Sequence, residues 1–192
     1  EDYLPGDNAE KRGETIVAIK YGLVDKSGNL VKVIPLSGVY DPRKGNVVIG
    51  KVEDVTFNGW LIDIGTAHRS FLPLTEVPRF INKNALEEFM DIGEMVVVRL
   101  EDVAKKGILV SIKSRNLGKL DEGLVIEVNS NKVPRVIGRE GSMVKLIKEK
   151  TGCRIVVGQN GLVWIKGDSI EDELLAKKAV LFVTEKSAIS DW

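Results

Sequence analysis

Two glycines three residues apart, Gly138 and Gly141, bracket Arg139 and Glu140 in the run Gly138-Arg139-Glu140-Gly141. With no Cβ at either end, such a loop turns sharply and lets another backbone approach the main chain closely. It opens onto a segment in which Met143, Val144 and Ile147 share one helical face. The free N–H groups and dipole at the start of a helix favour an anion such as phosphate. Arg139 adds a charge within the loop, and Arg135, Lys145 and Lys148 lie in sequence reach. Ile137 before the loop and Ile155 after the helix, with Val144 and Ile147, supply an apolar side against which bases would face. Glu140 is expected to point outward, since its carboxylate would repel phosphate.

The elements that must hold this loop can be read on either side. A strand over Leu124–Val128 leads to a short helix over Val133–Ile137, then the loop and its helix. Strands follow at Cys153–Val157 and Leu162–Ile165, joined by Gln159-Asn160-Gly161, and Asn-Gly is the strongest short hairpin signal. A last helix begins near Ser169, where Glu171, Asp172 and Glu173 suit its positive end. Residues 115–186 therefore predict a β-α-α-β-β-α unit, and residues 187–192 a tail. Trp164, beside Val163 and Ile165, is expected to pack.

Residues 45–114 predict five short strands. They start at Val47-Val48-Ile49-Gly50-Lys51-Val52, and continue through Trp60–Ile64, Ser70–Leu72, Met95–Leu100 and Ile108–Ile112. A short helix over Ala85–Phe89 precedes the fourth strand, with Asn82 or Asn84 as its cap. Five strands with that helix fit a small barrel of the oligonucleotide/oligosaccharide-binding (OB) type. Trp60 shares a strand face with Ile62 and Ile64 and is expected in the core. His68 and Arg69, and Lys105 and Lys106 in the last turn, are placed to contact a nucleic-acid backbone. Residues 1–44 predict a small β-rich unit, in which Thr15–Ile19 and Leu30–Ile34 form a hairpin around Asp25–Asn29. The chain as a whole reads as multidomain, mostly β with one α/β unit.

Composition removes other classes. The 28 basic and 28 acidic side chains cancel, so a uniformly basic coat is excluded. Residues 114–168 alone are basic, with ten cationic side chains against six acidic. One Cys excludes an internal disulfide, and one Cys with one His excludes a structural zinc site. His68 is the only imidazole, and no Asp/Glu cluster carries metal-ligand spacing. No apolar run reaches the ~18 residues a membrane span needs. The first residues lack the basic start and apolar core of a signal peptide, so the cytoplasm is the expected compartment.

From Val133 to Gly167 the chain resembles a type I KH domain, carried by Val136-Ile137-Gly138-Arg139-Glu140-Gly141 and Thr151-Gly152-Cys153-Arg154-Ile155. Residues 45–113 resemble an S1-type OB domain through Gly50-Lys51-Val52, Gly59 to Asp63-Ile64-Gly65, and Gly107 to Ser111-Ile112. At the two positions where S1-type domains often carry stacking aromatics, this chain has Asn58 and Leu61. The order of the three units, with Tyr3-Leu4-Pro5-Gly6-Asp7 near the start, resembles the archaeal RNA-binding cap subunits of the exosome, the ribosomal RNA-processing protein four family.

That resemblance implies a non-catalytic subunit without a cofactor of its own. Three such caps sit on a hexameric ring of RNase PH-like subunits, docked through the N-terminal domain, and any magnesium and phosphate belong to the ring. The caps capture single-stranded, adenine-rich RNA 3′ ends and feed them to the ring for 3′-to-5′ degradation. The candidate RNA-binding residues are then Gly138, Arg139, Glu140, Gly141, Arg135, Ile137, Lys145, Lys148 and Ile155, with His68, Arg69, Lys105 and Lys106 supplying backbone contacts on the barrel. The alternative is a transcription elongation or translation factor, although elongation factors with an S1-type domain normally carry two KH units. Bacterial polynucleotide phosphorylase uses both modules in the reverse order, behind catalytic domains.

Overall fold

The computed structural model describes residues 4–5, 9–12, 14–18, 22–27, 30–35 and 40–186, and the chain divides into two units, Glu1–Val39 and Tyr40–Trp192. In the first unit the strands are β1 (Leu4–Pro5), β2 (Ala9–Arg12), β3 (Thr15–Ala18), β4 (Gly22–Ser27) and β5 (Leu30–Pro35). β4 and β5 pair antiparallel from Gly22↔Pro35 to Ser27↔Leu30, and β1 joins β5 in parallel. β3 pairs with β2 instead. The hairpin around residues 25–29 therefore joins Leu30–Pro35 to Gly22–Ser27, not to Thr15–Ile19 as expected. Asp25-Lys26-Ser27 is strand rather than turn, because pairing with the strand nearer in sequence costs less closure entropy. Gly28 and Asn29, together with Tyr3, Gly6, Asp7 and the tail 187–192, lie outside the described residues.

In the second unit five strands close into the expected barrel: β6 (Val47–Thr56), β7 (Gly59–Asp63), β8 (Ser70–Pro73), β9 (Met95–Ala104) and β10 (Gly107–Ser111). β6 pairs with both β7 and β9, β7 with β8, and β10 closes the ring against β9 on one side and β8 on the other. The β8–β10 contact is the parallel one, Ser70 lying opposite Ile108. Bulges between Val52 and Asp54, and between Leu109 and Val110, bend the long strands round the barrel. Inward residues of every strand meet in one core, among them Val48, Trp60, Ile62, Leu72, Val98 and Val110. Trp60 is fully buried as expected, donating from Nε1 to the Met90 carbonyl at 2.9 Å and lying against Phe89.

The short helix α1 (Leu86–Phe89) starts at Ala85, with no side-chain cap. Asn82 instead accepts from the Asn84 N–H at 3.0 Å, two residues on, in a turn that leads into the helix. That local bond uses the oxygen that was expected to cap.

After the barrel the chain makes an unforeseen two-residue strand, β11 (Gly118–Lys119), on the edge of β9. The β-α-α-β-β-α order then appears as expected: β12 (Leu124–Glu127), α2 (Val133–Ile137), α3 (Ser142–Thr151), β13 (Arg154–Val157), β14 (Leu162–Lys166) and α4 (Ile170–Lys186). The sheet order is β12-β14-β13, so β13 is an edge strand. The helices cover one face, burying Val136, Ile147, Ile155, Ile165, Ala176 and Val180 together. Ser169 Oγ accepts from the Asp172 N–H at 3.2 Å, which is the N-cap bond the sequence signals for α4.

Barrel and α/β unit are joined by the turn between β13 and β14. Val47 and Gln159 exchange two hydrogen bonds of 2.9 Å, one through each backbone N–H. Asn160 donates from Nδ2 to the carbonyls of Ile49 (2.8 Å) and Ile64 (3.0 Å) and accepts from the Ile49 N–H. Ile49, Val97 and Trp164 pack beside this turn as a third buried cluster. Trp164 packs as expected, but between the modules rather than within one.

Candidate nucleic-acid interface

The glycine loop is built by steric need. Gly138 ends α2 with φ 75° and ψ 174°, and a Cβ there would lie 2.6 Å from the Met143 nitrogen and 2.7 Å from its Cβ. Only glycine fits that backbone and that approach. Arg139–Gly141 form one 3-10 turn, in which Glu140 takes the left-handed region at φ 54°. Gly141, at φ 76°, starts α3, and no side chain caps that helix. The loop's amides are not all open to a ligand: Gly138 N–H donates to Pro134, Gly141 N–H to Gly138, and Ser142 N–H to Arg139. The amides left to meet a phosphate are those of Arg139 and Glu140 and those of the first turn of α3 beyond Ser142.

Arg139, Glu140, Lys145 and Lys148 are all exposed around this loop, with Arg135 on the preceding helix. Glu140 is exposed like its cationic neighbours, as expected. Beside them lies an open cavity of about 580 Å³ whose walls include Ile137, Val144, Lys148 and Ile155. The expected apolar side therefore exists in Ile137 and Val144, with two corrections. Ile147 (5% exposed) and Ile155 (4%) belong to the core under the helices, because the turn of α3 that carries Ile147 and the inward face of β13 that carries Ile155 both point into it.

The barrel residues meet at one end of the fold. Arg69 carbonyl accepts from the Ile108 N–H at 3.0 Å, which sets His68 and Arg69 beside the strand that follows Lys105 and Lys106. All four side chains are exposed. Their loop starts after Ile64, whose carbonyl Asn160 holds, so it is tied to the turn of the α/β unit. The outer barrel face also carries an aromatic, Phe71. Leu61, Phe71 and Leu109 form one outward row across β7, β8 and β10. Buried Ser70 and Leu72 alternate with half-exposed Phe71 and Pro73, but Ser-Phe-Leu-Pro has no polar/apolar alternation, so no pattern in the sequence marks Phe71 as outward.

Among the described residues no three His, Cys, Asp or Glu side chains are placed to hold a metal ion. None of the described helices is long and apolar enough to cross a membrane.

Known proteins agree with this geometry. A family model described as KH domain matches residues 123–181. The exosome complex component Rrp4 of Methanothermus fervidus is 37% identical over 190 residues, covering 98% of this chain and 85% of that protein. The Pyrococcus furiosus protein of the same name is 38% identical over 191 residues, covering 96% and 72%. The chain spans about three fifths of two other such relatives, 62% of the protein from Methanobrevibacter smithii and 60% of that from Methanothermobacter thermautotrophicus. A crystal structure described as an exosome complex RNA-binding protein superposes with a TM-score of 0.64 and 26% identity, over 79% of this chain and 98% of that one. With relatives at this identity matched over nearly the whole of this chain, and a barrel and KH unit in the expected order, the chain belongs to the Rrp4 family of exosome complex components.

Proposed function

We propose that this protein is the RNA-binding, non-catalytic subunit that captures single-stranded RNA 3′ ends, adenine-rich ones above all, and feeds them to an exonuclease ring. The observation that carries the reading is the Gly138–Gly141 loop. Its first glycine is sterically obligatory, it opens onto an uncapped helix, and an apolar cavity lies beside it. Phosphates meet Arg139 and the free amides, with Arg135, Lys145 and Lys148 around them, while bases lie over Ile137 and Val144. His68, Arg69, Lys105 and Lys106 on the barrel contact the backbone of the same strand. Residues 1–44 dock on a hexameric ring of RNase PH-like subunits, three copies of this chain to a ring, in the cytoplasm. Residues 45–114 and 115–186 are the two RNA-binding domains. Multiple copies on one ring raise a weak single-site affinity through effective concentration.

Gly138→Asp combined with Gly141→Asp tests this. The pair puts bulk and charge where a phosphate must approach, so binding of a fluorescent oligoadenylate should fall at least about tenfold, the loss of ~1.4 kcal/mol. In an RNA decay assay with phosphate and magnesium, the chain alone should leave an adenine-tailed strand intact and should accelerate its decay by the ring. Unchanged binding by the double variant sinks the loop assignment. Decay by the chain alone sinks the non-catalytic reading, and a ring indifferent to the chain favours a transcription or translation factor.

A further inference from the structure

The cavity beside the glycine loop does not end with the KH unit. It wraps the free edge of β13, and its far wall is the segment joining the two modules, with Asn116, Leu120 and Asp121 facing Arg154 and Trp164. Arg154 and Trp164 are diagonal neighbours on the sheet face opposite the helices, since Arg154 pairs with Lys166 and Trp164 with Val156. The Arg154 guanidinium lies over the indole, 5.4 Å from the ring centroid. Asp121 braces both: its carboxylate sits 3.5 Å from Arg154 Nη2, and its carbonyl accepts from Trp164 Nε1–H at 2.9 Å. The indole is buried, yet two thirds of the Arg154 side chain remains exposed. A planar cation thus sits over an aromatic ring, held from the side by a carboxylate, and two thirds of it stays open to solvent.

We propose that Arg154, backed by Trp164 and braced by Asp121, is a stacking platform for a purine base of a strand that leaves the KH groove over the edge of β13. The assignment rests on the reading of that groove as the RNA site and extends it onto the sheet face opposite the helices, with Asp121 from the interdomain segment. Bases stack on guanidinium planes as they do on aromatic rings. An arginine already paired to a carboxylate and an indole loses little freedom when a base covers it. A purine presents the larger π-face, so the platform discriminates by ring size. Lysine keeps the charge but has no plane, which separates stacking from plain attraction of phosphate.

The test is fluorescence anisotropy of the full chain with eight-nucleotide oligoadenylate and oligouridylate across a salt series. Arg154→Lys should weaken oligoadenylate binding about 5- to 20-fold, the lower range for one stacked base. Oligouridylate affinity and the salt slope should stay as in the parent, because no cation is lost. Asp121→Ala, which frees the guanidinium, should give a smaller loss of the same base dependence. Parent-like binding of both oligomers by Arg154→Lys overturns the platform. An equal loss on both oligomers, or a shallower salt slope, makes Arg154 a phosphate contact and overturns it too. The Gly138→Asp, Gly141→Asp pair should weaken binding of both oligomers at least about tenfold. If that pair binds as the parent does, the groove reading falls and the platform with it.

Discussion

Gly138 shows how much one residue can carry. A methyl group there meets the Met143 backbone, so the loop geometry and the residue type are inseparable. That is why two glycines and a helix-period segment made this part of the candidate site legible from residue types alone. Tyr40 is the opposite case, since nothing around it in the sequence marks it. Its hydroxyl donates to Asn46 Oδ1 at 2.8 Å while its ring packs on the barrel core. Burial pushes its phenol up to about 12, against a smaller opposing effect of the hydrogen bond from the Arg43 backbone. The folded value lies above the ordinary one near 10, so the stabilising contribution is complete below about pH 10 and is lost as pH rises toward 12. Denaturant unfolding at a series of pH values should show this fall in the parent. Tyr40→Phe should flatten it, at a cost of about 1 kcal/mol near neutrality for the lost hydrogen bond. An identical fall in both proteins assigns the alkaline loss to other groups.

Among elements, the strands of the barrel and the KH order were legible because alternation and helical periodicity are local properties. The partner of Leu30–Pro35 was not, since pairing is decided by loop closure between competing strands. Nor was β11, two residues long and held only by the edge of β9. Least legible was the turn at Gln159-Asn160. Asn-Gly announces a hairpin, and the hairpin is there, but the same asparagine also serves three backbone groups of the barrel. No pattern in the sequence distinguishes a turn that faces water from one that faces another module. Asn160→Ala would strip partners from the Ile49 and Ile64 carbonyls and should cost about 1–3 kcal/mol. Unfolding followed by tryptophan fluorescence checks this, because Trp164 lies in the buried cluster beside the turn. A loss within the noise of the measurement would mean that the apolar cluster alone joins the modules.

For the whole molecule, neutrality conceals a division of charge: the surplus of four cations sits in residues 114–168, the stretch that holds the glycine loop and Arg154. Such a chain attracts a polyanion locally without the general stickiness of a basic protein. The bonded turn and the Ile49–Val97–Trp164 cluster add a further property. They set the distance from the barrel's basic loop to the KH groove as a constant of the protein rather than a variable of a tether. A strand that reaches both has nothing to order between them, and a strand too short to reach gains nothing from the second. The protein then behaves as a ruler. In a series of oligoadenylates of increasing length, log affinity should rise in a step at one length instead of climbing smoothly, and Asn160→Ala should blur that step. A smooth climb in the parent would mean that only one module holds RNA at a time. A subunit that grips in this stepwise way releases a shortened strand all at once, so the length at which binding fails would be written into the folded chain.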